Sequence, residues 1–191
     1  MSFLKKLCNI RVGVVGLLVA AIVGAAGIIS FNAAIAWTNT EKFCLTCHEM
    51  REFVYEEYKD TIHYNNRSGV RAVCSDCHVP KETVPKLIRK VRATFEVWAK
   101  LTGKIDTREK FEKHRYELAM RVWTTMKKND SLECRNCHDY EHFSQKKQTE
   151  KAWARHEKAK REKMTCIDCH FAIAHNEPEG DKGPQDIVIE K

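Results

Sequence analysis

The residues with the clearest chemical meaning are cysteines and histidines that recur at one spacing. Eight of the nine cysteines form Cys-x-x-Cys pairs, and a histidine directly follows every pair. The motifs are Cys44-Leu-Thr-Cys47-His48, Cys74-Ser-Asp-Cys77-His78, Cys134-Arg-Asn-Cys137-His138 and Cys166-Ile-Asp-Cys169-His170. Two thiols three positions apart can each add to one vinyl group of the same haem, and the adjoining imidazole then reaches the iron. The pattern therefore predicts four covalently attached haems.

Other uses of paired cysteines fit the sequence less well. Zinc sites also use Cys-x-x-Cys pairs, but they do not require a histidine directly after each pair. Redox-active pairs usually occur singly in a thioredoxin-like context. Cys8, the ninth cysteine, lies outside the motifs, and we interpret it as an inert reduced thiol.

An apolar segment precedes the first motif and carries no charged side chain between residues 12 and 37. A helix of that length, at about 1.5 Å per residue, exceeds a hydrocarbon core of roughly 30 Å. A cleaved signal peptide has a shorter apolar region of about 7–15 residues, although small residues among 32–37 leave cleavage open. We interpret residues 12–37 as an uncleaved transmembrane anchor.

The flanking charges predict the orientation of this anchor. Lys5, Lys6 and Arg11 precede it, and no similar basic cluster directly follows it. By the positive-inside rule, residues 1–11 are a cytoplasmic tail. Residues 38–176, the predicted haem domain, then lie on the periplasmic side of the cell inner membrane.

The charge of the chain does not indicate a nucleic-acid partner. The formal net charge is +7, but the basic residues are dispersed among acidic ones. The negatively charged haem propionates, two on each haem, are better candidates to pair with these basic residues. We therefore predict no binding to nucleic acid.

The spacing of the motifs indicates an internal repeat. The first two begin 30 residues apart and the last two 32 apart, whereas the second and third begin 60 apart. A lone histidine lies within each pair, His63 in the first and His156 in the second. Asp76 and Asp168 occupy the same place in Cys-x-Asp-Cys-His. Two duplicated dihaem units are the economical interpretation.

Two helical patterns fill the gap between the second and third motifs. From Val84 to Lys104, apolar residues recur at helical spacing and basic residues occupy the opposite face. This helix fits two roles, lying along the membrane headgroups or covering the haem core. A second apolar stripe runs from Phe111 to Met126.

The predicted fold is mainly α, with one N-terminal transmembrane helix and a small helical and loop domain organised around four haems. Strand-like alternation is absent from the sequence. Residues 177–191 are acidic with Gly and Pro, which predicts a loose C-terminal tail. A haem domain of about 140 residues with sparse apolar content cannot bury a large core of its own, so we expect the macrocycles to replace it.

Low-spin electron-transfer haems need a second strong ligand on the iron. His63, His156 and His175 are our choices, because two occupy equivalent places in the repeats and the third closely follows the last motif. His114 lies on an apolar stripe and fits a buried core histidine or a ligand. His142 fits a surface position or a propionate partner.

The first motif differs from the others because Glu49 and Met50 follow its histidine. A thioether two residues past His48 can act as an axial ligand and raise the potential of that haem. It can equally be a packing side chain, so both interpretations stay open.

Longer strings, from the anchor to the last histidine, extend well beyond the haem-attachment residues. They are Phe43 to Met50, His63 to Ala72, Asp76 to Pro80, Ile105 to Thr107, Glu133 to His138, Thr165 to His170 and Ile173 to His175. In these strings the chain resembles the NapC/NirT/NrfH family of membrane tetrahaem quinol dehydrogenases. It looks most like the NapC branch, which feeds periplasmic nitrate reductase. Lys81 departs from that branch, where histidine often stands.

The resemblance implies that membrane quinol, menaquinol or ubiquinol, is oxidised near the first haem. Electrons would then pass to a periplasmic terminal reductase or its cytochrome subunit. Met50 falls on the family's ligand of the first haem, which leaves the role of His48 open. Lys90 falls on the lysine of the quinol site, and Glu96 lies where a nearby acidic residue could accept protons. The family's distal iron ligands coincide with His63, His156 and His175.

Other functions stay open at this point. The chain could be an anchored electron carrier without its own quinol site, or a donor to a nitrite, TMAO or other periplasmic reductase. A terminal reductase would need a haem without a distal ligand, which the histidine count allows only at the first motif. No catalytic side chain is predicted, and a homo-oligomer is compatible with the sequence.

Overall fold

The computed structural model describes the backbone of residues 2–189 and the side chains of residues 13–189. The α-helices are α1 Ser2–Trp37, α2 Glu41–Cys44, α3 Tyr55–Lys59, α4 Cys74–His78, α5 Thr83–Leu101, α6 Arg108–Lys128, α7 Leu132–Arg135 and α8 Glu150–Glu162. A π-helix spans Met50–Val54, and 3-10 turns span Tyr140–His142, Gln145–Lys147, Cys166–Asp168 and Pro184–Asp186. Residues 2–189 contain no strand, which confirms the predicted mainly α fold.

Helix α1 contains the predicted anchor and begins earlier in the chain. Its segment Gly13–Trp37 is long and apolar enough to cross a membrane, and its side chains are not covered by the rest of the protein. The helix also continues through residues 2–11, which were predicted as a tail. The side chains of Lys5, Lys6, Cys8 and Arg11 lie outside the described residues.

The two helices predicted between the second and third motifs are confirmed as α5 and α6. Gly103 makes the turn between them possible, because its φ of +68° lies in the left-handed region. A Cβ at this position would approach the Asp106 carboxylate at 3.1 Å. Helix α6 then begins at a Thr107 cap, whose hydroxyl accepts the Lys110 N–H at 3.3 Å.

The domain buries few apolar side chains. Among the described residues they are Phe53, Tyr58, Phe111, Trp123, Met126, Ala159 and Ile167. The cluster of Trp123, Met126 and Ile167 joins α6 to the fourth motif. This core is small for a domain of this length, as predicted from the sparse apolar content.

The C-terminal segment is partly packed and so differs from the loose tail expected from its composition. Pro184 is fully buried, and Ile187 packs against the α6 cluster. Lys127 donates from Nζ to the Pro184 carbonyl oxygen at 3.1 Å. The physical reason is that α6 has unfilled apolar surface, which these two side chains cover.

We expect that a chain made without haem attachment does not fold its domain. The buried side chains are too few to offset the conformational entropy of ordering the domain, roughly 1–2 kcal/mol per residue for the backbone alone. Expression in cells that lack cytochrome c maturation, followed by limited proteolysis and circular dichroism, checks this. A protease-resistant domain with the full helical signal would contradict it.

Candidate functional site

Each Cys-x-x-Cys-His motif begins or lies within a short helical turn. The first motif starts at the last residue of α2, the second is α4 itself, the third lies on α7 and the fourth starts a 3-10 turn. In the third and fourth motifs the histidine N–H donates to the carbonyl of the first cysteine, at 2.8 Å for His138 and 2.9 Å for His170. Such a turn brings residues three and four apart onto one side, as attachment to one macrocycle requires.

The aspartates repeated in the second and fourth motifs have the same structural role. Asp76 Oδ2 accepts the Val73 N–H at 2.8 Å, and Asp168 Oδ2 accepts the Thr165 N–H at 2.8 Å. Each carboxylate therefore caps the turn that carries its own cysteines. Lys127 further holds Asp168, with Nζ at 2.6 Å from Oδ1. The aspartate shared by the second and fourth motifs thus has a structural role, which is to cap the turn that carries the cysteines.

Three motif histidines each face a second histidine from elsewhere in the chain. The ring centres are 6.2 Å apart for His78 and His175, 6.2 Å for His138 and His63, and 5.9 Å for His170 and His156. The rings of His78 and His175, and those of His170 and His156, are nearly parallel, at 24° and 29°. The rings of His138 and His63 are near perpendicular, at 86°. These partners are the histidines selected as second ligands from the sequence.

This spacing fits one iron between the two rings of each pair. A metal–imidazole bond is about 2.0 Å long and the ring centre lies about 1 Å behind the nitrogen, so two rings on one metal are about 6 Å apart. Direct contact between stacked imidazoles would bring the centres closer. The motif residues therefore fit covalently bound haem with two axial imidazoles.

Two of the three partner histidines form a hydrogen bond at Nδ1, which leaves Nε2 available to a metal. His175 donates from Nδ1 to the Val54 carbonyl at 3.2 Å, and His156 donates from Nδ1 to Gln148 Oε1 at 2.6 Å. A second partner of this kind fixes the tautomer and orientation of a ligating imidazole. Burial, followed by the nearby His175 and Arg89, lowers the pKa of His78 to about 4. The ring is thus neutral, the form that binds metal.

The pairing crosses between the two halves of the chain. His63, from the segment between the first two motifs, faces the third motif, and His175 faces the second. Only His156 faces a motif of its own half. His63 and His156 are therefore not structurally equivalent, and the ring pairs do not form two self-contained dihaem units.

The four motifs are adjacent in the order of the sequence. Helix α2, which ends at Cys44, packs on α4 of the second motif. The Ile167 N–H of the fourth motif donates to Ser131 Oγ, just before α7 of the third, at 3.2 Å. Between these two pairs of motifs, α4 packs on α7, which joins the second motif to the third. The four motifs thus follow one another in space in the same order as in the sequence.

The first motif differs from the other three at the histidine. His48 donates from Nε2 to the Asp106 backbone carbonyl at 2.9 Å, so the nitrogen that would bind iron is already engaged. The backbone after it leaves α-helical geometry, because a π-helix spans Met50–Val54. Single π-turns often occur at functional sites. With His48 engaged in this way, Met50 remains our predicted ligand of the first iron.

Glu49 and Lys100 form an ion pair beside the first motif that sequence reasoning missed. The Glu49 side chain is 1% exposed, and Lys100 Nζ lies 2.7 Å and 2.9 Å from its two oxygens. Burial alone would raise the pKa of Glu49, but the hydrogen bond and charge of Lys100 lower it overall. The only sequence signal was the position of Glu49 between the motif histidine and Met50.

Lys90 and Glu96, the predicted quinol-site residues, have different surroundings. Lys90 donates from Nζ to the Thr38 carbonyl at 3.0 Å, directly after the end of α1. Burial, despite the nearby Cys44 thiol, lowers the pKa of Lys90. Glu96 is exposed and pairs with Arg89 at 3.0 Å. The structure therefore brings Lys90, but not Glu96, to the junction of the anchor and the first motif.

A clamp of charged residues fixes the segment that carries His175. Arg115 donates to both carboxylate oxygens of Glu57, and to the Asn176 carbonyl at 2.9 Å. Glu57 also accepts the Asn176 N–H at 2.8 Å. Burial raises the pKa of Glu57, but Arg115 and this N–H outweigh it and lower the pKa overall.

The two remaining histidines lie apart from these ring pairs. His114 donates from Nδ1 to the Lys110 carbonyl of its own helix at 2.8 Å. His142 has an 83% exposed side chain and pairs with Asp139 at 3.1 Å. Among the described residues, no group of three or more His, Cys, Asp or Glu side chains assembles a metal site of the zinc type.

Comparison with known proteins agrees with this site. The sequence model described as NapC/NirT cytochrome c family, N-terminal region, matches residues 8–180. The chain belongs to this family. It is therefore a c-type cytochrome that carries electrons and is anchored in the membrane by α1.

The individual relatives are similar over most of their length. "Denitrification system component NirT" from Stutzerimonas stutzeri is 53% identical over 168 residues, 86% of this chain and 83% of the relative. "Cytochrome c-type protein NapC" from Escherichia coli K12 is 53% identical over 149 residues, 78% and 74% of the two chains. A "Putative tetraheme cytochrome-c type" protein from Allochromatium vinosum is 49% identical over 144 residues, 75% and 78%. No solved structure matches the chain.

We expect His63→Ala to leave the haem of the third motif of this cytochrome without its second imidazole. That iron becomes high-spin, and the electron paramagnetic resonance signal with the largest g-anisotropy disappears, because it comes from the perpendicular ring pair. The exposed His142→Ala is the control and leaves every signal unchanged. Loss of a signal typical of parallel rings instead would contradict the assignment.

We expect Met50→Leu to change one haem of this cytochrome, because it would remove the thioether that we predict as a ligand of the first iron. The spin state and potential of the first haem change, whereas Met120→Leu, the same replacement on α6, changes neither. Redox titration followed by resonance Raman spectroscopy measures both. Unchanged spectra in the Met50 variant would restore His48 as the ligand.

We expect Arg115→Met to destabilise the cytochrome by about 2–3 kcal/mol, because it leaves a shielded Glu57 without its partner. Denaturant titration of the holoprotein, read at the low-spin haem band, measures this loss. Glu57→Gln removes the charge but keeps the shape. A carboxylate whose pKa is lower in the folded protein stabilises the fold at pH values above its unfolded pKa of about 4.3. The difference between wild type and Glu57→Gln should therefore shrink as pH falls through the folded pKa.

Proposed function

We propose that this cytochrome oxidises membrane quinol, menaquinol or ubiquinol, and passes the electrons through four haems to a periplasmic terminal reductase. The observation that carries the proposal is the position of Lys90. Its ammonium bonds the first backbone carbonyl after α1 and lies near Cys44. A hydrogen-bond donor at this junction can meet a quinol that diffuses within the membrane.

The chemistry asked of Lys90 is to bind and orient a quinol hydroxyl. Its lowered pKa makes the neutral amine more accessible than in a solvated lysine, so it can also accept a quinol proton. Glu96 would act as a proton acceptor toward solvent, because its side chain is exposed and pairs with Arg89. Oxidation releases two protons and two electrons, and the electrons leave toward the first motif.

We propose that the haems are held by the motif residues and by the ring pairs described above. Thioethers would come from all eight motif cysteines, with Met50 on the first iron. The other three irons would each be held by two imidazoles, those of His78 with His175, His138 with His63, and His170 with His156. Bound haem supplies one-electron redox chemistry.

The fourth motif is the proposed exit of this relay. Cys169 and His170 are exposed, so a partner can approach the last haem closely. A nitrate reductase is the first expectation for that partner, since a NapC protein is among the relatives, and the NirT relative is described as a denitrification component. The orientation follows the positive-inside rule, with the N-terminus cytoplasmic and the haem domain periplasmic.

We expect Lys90→Gln to slow haem reduction by quinol at least about tenfold, the loss expected for one important hydrogen bond. The reconstituted full-length protein is mixed with menaquinol and followed at the haem band in a stopped-flow instrument. Arg92→Gln is the matched control, because it removes an exposed charge from the same helix. Glu96→Gln tests the proposed proton acceptor separately from Lys90, the proposed quinol-binding residue.

Two outcomes would contradict the proposal. Failure of menaquinol to reduce the wild-type protein, when dithionite reduces it fully, would leave an electron carrier without a quinol site. Equal slowing in the Lys90 and Arg92 variants would mean that the effect comes from the overall positive charge of α5 and not from a specific bond of Lys90. Co-purification with a periplasmic reductase identifies the acceptor independently.

A further inference from the structure

Helix α5 exposes an apolar stripe along its length. The stripe consists of Val84, Ile88, Val91, Phe95 and Trp98, which recur at helical spacing and are 48–71% exposed. A surface helix of a soluble domain directs such a stripe toward the core. On this helix, the stripe instead faces away from the domain.

The polar face of α5 is the one that contacts the protein. Arg89 donates from Nε to the His78 carbonyl at 3.1 Å, and Lys100 pairs with buried Glu49. Both partners belong to haem motifs or their flanks. The haem-bearing side of the helix is thus its basic side, and the stripe lies opposite. A role for the stripe in covering the haem core does not fit this arrangement.

We propose that α5 lies in the headgroup layer of the same membrane that α1 spans, with its stripe inserted into the lipid. The continuity with the anchor carries this assignment. Lys90, in the middle of α5, bonds Thr38, and Thr38 directly follows Trp37 at the end of α1. The middle of α5 is therefore held next to the end of the anchor, at the membrane surface.

The composition of the stripe suits this location. Phe95 and Trp98 are aromatic residues of the kind enriched at membrane interfaces. Helix α5 has 19 residues, so it can lie flat over roughly 28 Å of surface at about 1.5 Å per residue. Insertion of the stripe into the lipid would fix the rotation of the domain about α1, which a single transmembrane helix cannot fix alone.

The test measures the access of a charged, water-soluble maleimide to single cysteines in reconstituted full-length holoprotein. Phe95→Cys and Trp98→Cys probe the stripe, and Lys158→Cys on α8 is an exposed control. All are made in a Cys8→Ser background, since the motif cysteines are held in thioethers. Each rate is normalised to that of the unfolded protein. We expect the stripe positions to react at least about tenfold more slowly than the control.

A phospholipid with a photoreactive acyl chain then identifies what covers the stripe. We expect lipid adducts on peptides from α5 as well as α1, and none on α8. Reaction of Phe95→Cys at the control rate would overturn the proposal. Cross-links between two copies of the chain at α5, without lipid adducts, would overturn it in favour of a protein interface. Both readouts are independent of quinol oxidation, so failure of that proposal does not affect them.

Discussion

The tertiary structure depends on three pairs of imidazoles held about 6 Å apart. Two of the pairs join distant parts of the sequence, and His78 with His175 spans almost a hundred positions. The domain has few buried apolar side chains to stabilise these contacts by itself. Iron between the rings would supply the missing cross-links, much as metals and disulfides stabilise other small domains. The polar clamps act in support of this arrangement.

Those clamps are concentrated where a ligand must be held in place. The Glu57 and Arg115 pair holds the residue after His175, and the Lys127 and Asp168 pair caps the fourth motif. A partly buried ion pair contributes little net stability by itself but fixes geometry strongly. The charged residues of this basic, polar domain therefore have a structural function that its composition alone would not suggest.

The first motif combines three departures from the other motifs. Its histidine bonds a backbone carbonyl, a π-helix follows it, and a buried Glu49 and Lys100 pair lies beside it. This same motif lies closest to the anchor, through Lys90 and Thr38. A site that receives electrons from a membrane substrate needs access and a distinct potential, whereas the later motifs need only transfer. Helix α5 turns its basic face to the domain and its apolar stripe outward. If the stripe lies in the lipid, the helix would hold the first motif at the membrane surface.

The sequence by itself determined the features that depend on neighbouring residues. Haem attachment follows from cysteines three positions apart, the anchor from an uncharged run, and α5 and α6 from helical periodicity. It also identified His63, His156 and His175 as partners, but it treated His63 and His156 as equivalent. Only the tertiary structure decided which rings face each other, that Lys90 bonds Thr38, and that the α5 stripe faces outward. These outcomes depend on contacts between residues far apart in the chain, whose geometry no local spacing or propensity encodes.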